Sequence, residues 1–156
     1  MERAAKAEQK ESLVDETKAI LEEARMVLPG IQALFGFQLI AVFNARFDEL
    51  SAVLQTTHLV ALVAGAVSMS LVMTPAAYHR IAERGRISSR FTELASWFIA
   101  AAMGPLALSI ALDAFVVSTV IVDDLVVSAI IGASLALMFF AMWFAWPTVE
   151  ARRRRR

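Results

Sequence analysis

The sequence predicts an all-α protein: a four-helix transmembrane bundle with an N-terminal cytoplasmic amphipathic helix. Three observations carry that prediction. No Asp, Glu, Lys or Arg occurs between Leu50 and Tyr78, only Asp113 between Glu93 and Asp123, and none between Asp124 and Glu150. At about 1.5 Å per helical residue, each run can cross about 30 Å of hydrocarbon. Composition agrees, with 58% hydrophobic and 19% charged residues, against about 45–50% and 25% in soluble domains. Finally, the Lys and Arg residues fall almost entirely on one face, but only if there are four spans.

The predicted organisation has three parts: a cytoplasmic helix over 1–28, a membrane domain over 29–147 and a basic tail over 148–156. Residues 2–28 are rich in Ala, Glu, Lys and Arg, and Ser12 with Asp15 three residues on suits a helix cap. Leu13, Thr17, Ile20, Ala24 and Val27 form a narrow stripe. Such a stripe suits a helical partner or the membrane surface, or else packing on the protein's own bundle. Pro29-Gly30 is expected to break or bend the helix, because proline removes a hydrogen bond and glycine frees the backbone. The spans are placed at about 31–47, 52–77, 91–119 and 125–146, the third containing Pro105 and the last stopping at Pro147.

Orientation follows from the basic residues. Arg3, Lys6, Lys10, Lys18 and Arg25 precede the first span; Arg80, Arg84, Arg86 and Arg90 lie between the second and third; Arg152 to Arg156 end the chain. Only Arg46 falls elsewhere, so four spans place both termini on the positive, cytoplasmic side. Tyr78, Trp97, Trp143 and Trp146 lie near the same side, where interfacial aromatics belong.

Part of the sequence resembles something known. The run from Glu22 through Met26-Val27-Leu28-Pro29-Gly30-Ile31-Gln32 to Phe37 is followed by Phe43 and Arg46-Phe47, and later by Thr74-Pro75-Ala76-Ala77-Tyr78-His79-Arg80. Together these resemble a family of small bacterial four-span membrane proteins described only as a domain of unknown function. The resemblance covers roughly residues 20–147, with Gln38 standing where an aliphatic residue is expected. It implies a four-span fold in the bacterial inner membrane and brings no activity, cofactor or catalytic residue.

Polar residues inside the spans are the functional clues. Gln32, Gln38 and Asn44 point in different directions at 100° per residue, which suits separate interhelical hydrogen bonds or a polar cavity. Asp113 is an ionisable residue within a span, expensive unless paired or hydrated. It lies sixteen residues beyond Trp97, about 24 Å up the helix, in the outer leaflet. Asn44, Arg46, Gln55 and His58 fall at similar depth, so carboxylate, guanidinium and imidazole can form a proton or cation site, or a structural Asp113–Arg46 or Asp113–His58 pair. His58 and His79 sit at opposite ends of one helix and make no joint metal site. Ala61 with Gly65, Ala64 with Ser68, and Ala41 with Ala45 offer small faces for close helix packing, within the bundle or between copies.

The chain has no cysteine, hence no thiol nucleophile or disulfide, and no G-x-S-x-G or H-E-x-x-H pattern. The sequence therefore predicts no enzyme, no metal and no cofactor. The expected partners are the bilayer, with Arg152, Arg153, Arg154, Arg155 and Arg156 on anionic lipid or serving as a topology lock, and a second copy of the chain. No nucleic-acid partner is expected. The favoured function is a structural, accessory or regulatory bundle. The rival is an oligomeric cation or proton channel with Asp113 near its outer mouth, fed by Asp48, Glu49, Asp123 and Asp124.

Overall fold

A computed structural model describes the backbone of residues 2–83 and 88–154, and the side chains of 11–83 and 88–154. Its elements are α1 (Glu2–Ala41), α2 (Ala45–Asp48), α3 (Ala52–Tyr78), α4 (Ser89–Val122), α5 (Leu125–Phe140) and α6 (Trp146–Arg154). Wide π turns at His79–Glu83 and Ala141–Ala145 extend α3 and join α5 to α6. Four of the helical stretches are long and apolar enough to cross a membrane. The predicted all-α bundle is therefore what the chain forms. Arg84 and Arg86, and Arg155 and Arg156, lie outside the described residues.

Several boundaries differ from the sequence expectation, each for a local reason. The lead-in segment and the first span are one helix, so Ser12 is an interior residue and not a cap. That helix passes through Pro29 unbroken. Pro29 and Gly30 lie on its exposed side, while Leu28 and Ile31 are anchored against α3 and α4. Packing on one face thus holds the helix across the single hydrogen bond that proline removes. The helix ends at Ala41, not near Phe47, because Asn44 starts a new helix by accepting from the Arg46 backbone N–H at 3.1 Å. Ala41 and Ala45 therefore do not share a helix face. Pro147 does not stop the last helix, which continues to Arg154. The wide turn just before it opens the backbone where a proline ring otherwise clashes with the carbonyl four residues back.

The turn between α4 and α5 is the shortest and the most explicit. Asp123 adopts the left-handed conformation (φ 53°) that closes α4, a conformation Asp tolerates better than most residues. Asp124 then caps α5, its carboxylate accepting from the backbone of Val126 and Val127 at 2.8 and 3.0 Å.

Helix α4 is the hub, packing against α1, α3 and α5. It runs antiparallel to α3, and two serines lace the pair: Ser68 Oγ donates to the Ala102 carbonyl at 2.9 Å, and Ser109 Oγ to the Ala61 carbonyl at 2.8 Å. The small residues Ala61, Ala64, Gly65 and Ser68 are buried in this interface, so the small-residue face of α3 serves packing within the bundle. Ala111 and Phe115, on the opposite side of α4 from Ser109 and Asp113, receive α5 at Gly132. A Cβ added at Gly132 would lie 3.0 Å from Phe115 Cβ and 3.1 Å from the Ala111 carbonyl oxygen, so glycine lets α5 approach α4 a few tenths of an ångström closer than a side chain would.

Helix α1 lies along α3 and α4 over much of its length. In its N-terminal half, Thr17 is buried against Thr92 of α4, and their hydroxyls bond at 2.9 Å. Farther along, Ala24, Leu28 and Ile31 pack on a core of Val72 and Ala102. Of the three settings open to the amphipathic stripe, its middle takes the protein's own bundle, while Val27 stays exposed.

Candidate functional site

Gln38, in the last turn of α1, is buried at 3% exposure and is where three helices meet. Its side-chain Nε2 donates to Ser109 Oγ of α4 at 2.8 Å and to Asp113 Oδ2, one turn further on, at 2.5 Å. Its backbone carbonyl oxygen lies 2.9 Å from His58 Nε2 of α3. The His58 Nδ1 is in turn 3.2 Å from Asp113 Oδ1. The three residues thus close a ring across α1, α3 and α4, and Ser109 ties that ring to the α3 backbone through Ala61.

Two local features make room for it. Gly65 of α3 lies under the Gln38 amide: a Cβ there would be 3.2 Å from Gln38 Oε1 and 3.3 Å from Ser109 Oγ. The edge of the His58 ring meets Phe47, their centroids 5.4 Å apart at 68°, which walls off the imidazole on the α2 side. The His58 and Asp113 side chains are only 7% and 16% exposed, so a charge on either is poorly screened from the other. The contact is close enough for an ion pair but is not aligned as a hydrogen bond. Asp113 Oδ1 and Gln38 Oε1 are therefore buried without a hydrogen-bond donor.

The ring forms the floor of a cavity of ≈ 460 Å³ between the end of α1 and the last three turns of α4. Its walls are apolar, with Phe37, Ala41, Phe47, Val117 and Ile121 among them, and Asn44 and Arg46 also line it. It exists because α1 stops at Ala41 while α4 continues to Val122, leaving the far end of α4 without a helix beside it on that side.

Of the residues singled out from sequence, Gln38, His58 and Asp113 come into direct contact, and Asn44 and Arg46 share their cavity. The partner of Asp113 is His58; among the described residues Arg46 makes no ion pair. Asn44 spends its side-chain oxygen on the α2 cap. Gln55 stands apart, donating to the Phe47 carbonyl at 3.0 Å and so fixing α2 to α3. Gln32 is exposed. Ser109 was not singled out: one serine in an apolar run carries no signal until its helical neighbour is known. Arg152, Arg153 and Arg154 are exposed on α6, and His79 packs on Phe91 with centroids 5.3 Å apart.

No curated protein and no solved structure matches the chain. A family model does match, over residues 7–147, and takes in every helix of the cavity and all members of the polar ring. The chain belongs to that family, a family of unknown function, DUF6328.

Proposed function

We propose that the protein is a non-enzymatic accessory or regulatory bundle of the bacterial inner membrane, both termini cytoplasmic, whose cavity holds one small amphiphilic molecule. The observation that carries this reading is the cavity itself. It has the size and make-up of a small-molecule site: apolar walls with a few converging polar groups, here Gln38, His58, Asp113 and Arg46. The ring at its floor is bound into three helices, so an occupant can change how those helices pack without any bond being made or broken. Arg152 to Arg156 would hold the opposite end at anionic headgroups. Native mass spectrometry of the protein released from nanodiscs tests the proposal. One amphiphile per chain is expected, and Ala41→Trp, which fills the cavity, should abolish it. Equal occupancy in that variant would place the molecule elsewhere and end this reading.

A cation or proton pathway is the second reading. What favours it is a buried carboxylate–imidazole pair below an end of the bundle that carries Asp48, Glu49, Asp123 and Asp124. It needs a polar route past Ile31, Val72 and Ala102, which fill the α1–α3–α4 junction beyond the ring. Flux into vesicles above the protein-free level, reduced by Asp113→Asn, would support conduction over ligand binding.

A further inference from the structure

The hydrogen-bond partners of His58 leave one hydrogen unaccounted for. Its Nε2 lies 2.9 Å from the Gln38 carbonyl oxygen, which can only accept, so Nε2 carries a hydrogen. A neutral ring is then bare at Nδ1, the atom that faces Asp113 Oδ1 at 3.2 Å. An ionised carboxylate is also acceptor-only. Two unprotonated acceptors would therefore lie 3.2 Å apart, with Oδ1 itself buried and without a donor. One proton removes the conflict. On Nδ1 it makes an imidazolium beside a carboxylate; on Oδ1 it makes a neutral acid beside the bare nitrogen of a neutral ring. A second proton would set N–H against O–H and restore the conflict with the opposite sign. The other carboxylate oxygen is already committed, because Oδ2 accepts from Gln38 Nε2.

We propose that His58 and Asp113 form a binding site for a single proton, and that its occupancy fastens the end of α1 to the α3–α4 pair. Both contacts that hold Gln38 from the ring, the His58 N–H and Asp113 Oδ2, belong to the two residues that share the proton. Loss of the proton leaves an uncompensated negative charge beside the last turn of α1, where backbone carbonyls already carry the negative end of the helix dipole. Charge and dipole then repel, and α1 is pushed from its seat. Among the described residues the last turn of α1, Gln38–Ala41, has no ionisable group, His58 and Asp113 are those that α3 and α4 bring to the cavity, and Arg46, the other ionisable group lining it, makes no ion pair with Asp113. The cavity supplies the route by which a proton reaches the pair. The proposal stands apart from cavity occupancy, because it concerns the ring itself.

Two measurements on the full chain in nanodiscs test it. The protein has two histidines, so nitrogen-15 histidine spectra, assigned with His79→Gln, report the His58 tautomer directly. Nε2 should stay protonated at every pH, and a single proton should leave the pair as pH rises. A ring bare at Nε2 would overturn the proposal without any variant at the site. The absence of cysteine allows spin labels at Phe43→Cys and Val53→Cys, both exposed, flanking the end of α1 and the start of α3. Their distance distribution should lengthen or broaden as pH rises in the parent. It should stay short in Asp113→Asn, whose amide keeps a donor toward Nδ1 at all pH. The same response in both proteins, or none in the parent, would refute the fastening role.

Discussion

Gln38→Leu is the substitution that most directly tests the polar ring, since leucine has similar volume and offers no donor. Two hydrogen bonds are lost, to Ser109 and to Asp113. Interhelical hydrogen bonds in membranes average about 0.6 kcal/mol each, so their loss accounts for about 1 kcal/mol. The larger penalty falls on the partner: Asp113 Oδ2 is left without a donor in a mostly buried site, which costs about 1–3 kcal/mol. Part of this is offset, because leucine also removes Gln38 Oε1, which is buried without a donor. The expected net destabilisation is therefore about 1–3 kcal/mol. Equilibrium unfolding in mixed micelles, titrated with a denaturing detergent and followed by circular dichroism, measures it. The structure also demands coupling. In an Asp113→Ala background the stranded oxygen no longer exists, so Gln38→Leu should cost less than half as much. A cost below about 0.5 kcal/mol in the parent, or full additivity with Asp113→Ala, would mean that the ring does not hold the three helices together.

Other interfaces give independent predictions. Gly132→Ala places a methyl group 3.0 Å from Phe115 Cβ and 3.1 Å from the Ala111 carbonyl oxygen, so α5 and α4 must part by a few tenths of an ångström. The same unfolding assay should show a loss of about 1–3 kcal/mol. Ser68→Ala removes one α3–α4 hydrogen bond and should cost only about 0.6 kcal/mol, well below Gln38→Leu, because the Ala102 carbonyl keeps its helical partner. Deleting residues 2–28 should leave four spans inserted, by protease protection, yet lower bundle stability, since Thr17, Ala24 and Leu28 are lost from their seats on α3 and α4. A C-terminal reporter active only in the cytoplasm, paired with one active only in the periplasm after Glu49, should confirm both termini inside. A periplasmic C-terminus would reject that orientation.

Much of the architecture was legible because membranes impose few solutions. A stretch such as Leu50–Tyr78, with no charged residue, is stable in hydrocarbon only as a helix that satisfies its own backbone. Asp123-Asp124 marked the break between the third and fourth spans because two charges interrupt the apolar runs there; the left-handed backbone and the cap are structural findings. Asp113 stood out for the cost of a carboxylate in lipid, and depth counting alone set His58 beside it as a candidate. Pro105 was read inside its helix and lies there, but Pro29 does not break α1 and Pro147 does not stop the last helix, since the outcome at a proline depends on packing and backbone geometry around it.

Hydrophobic runs and charge placement, properties of the chain read one residue at a time, determined that the protein is a helical bundle with four segments able to cross a membrane. They also determined which polar groups had to be reconciled with lipid. Tertiary structure alone decided how. Which side of α4 faces α1, and which receives α5, follows from side-chain fit at Gly65 and Gly132. That fit sets the rotation and register that bring Gln38, His58, Ser109 and Asp113 together from three separate helices. The early end of α1 at Ala41 likewise depends on the Asn44 cap and on the Gln55 bond to Phe47, contacts across the α1–α3 connection, and the cavity follows from it. Spacing along one helix places a residue by depth; only the packing of several helices chooses its partner.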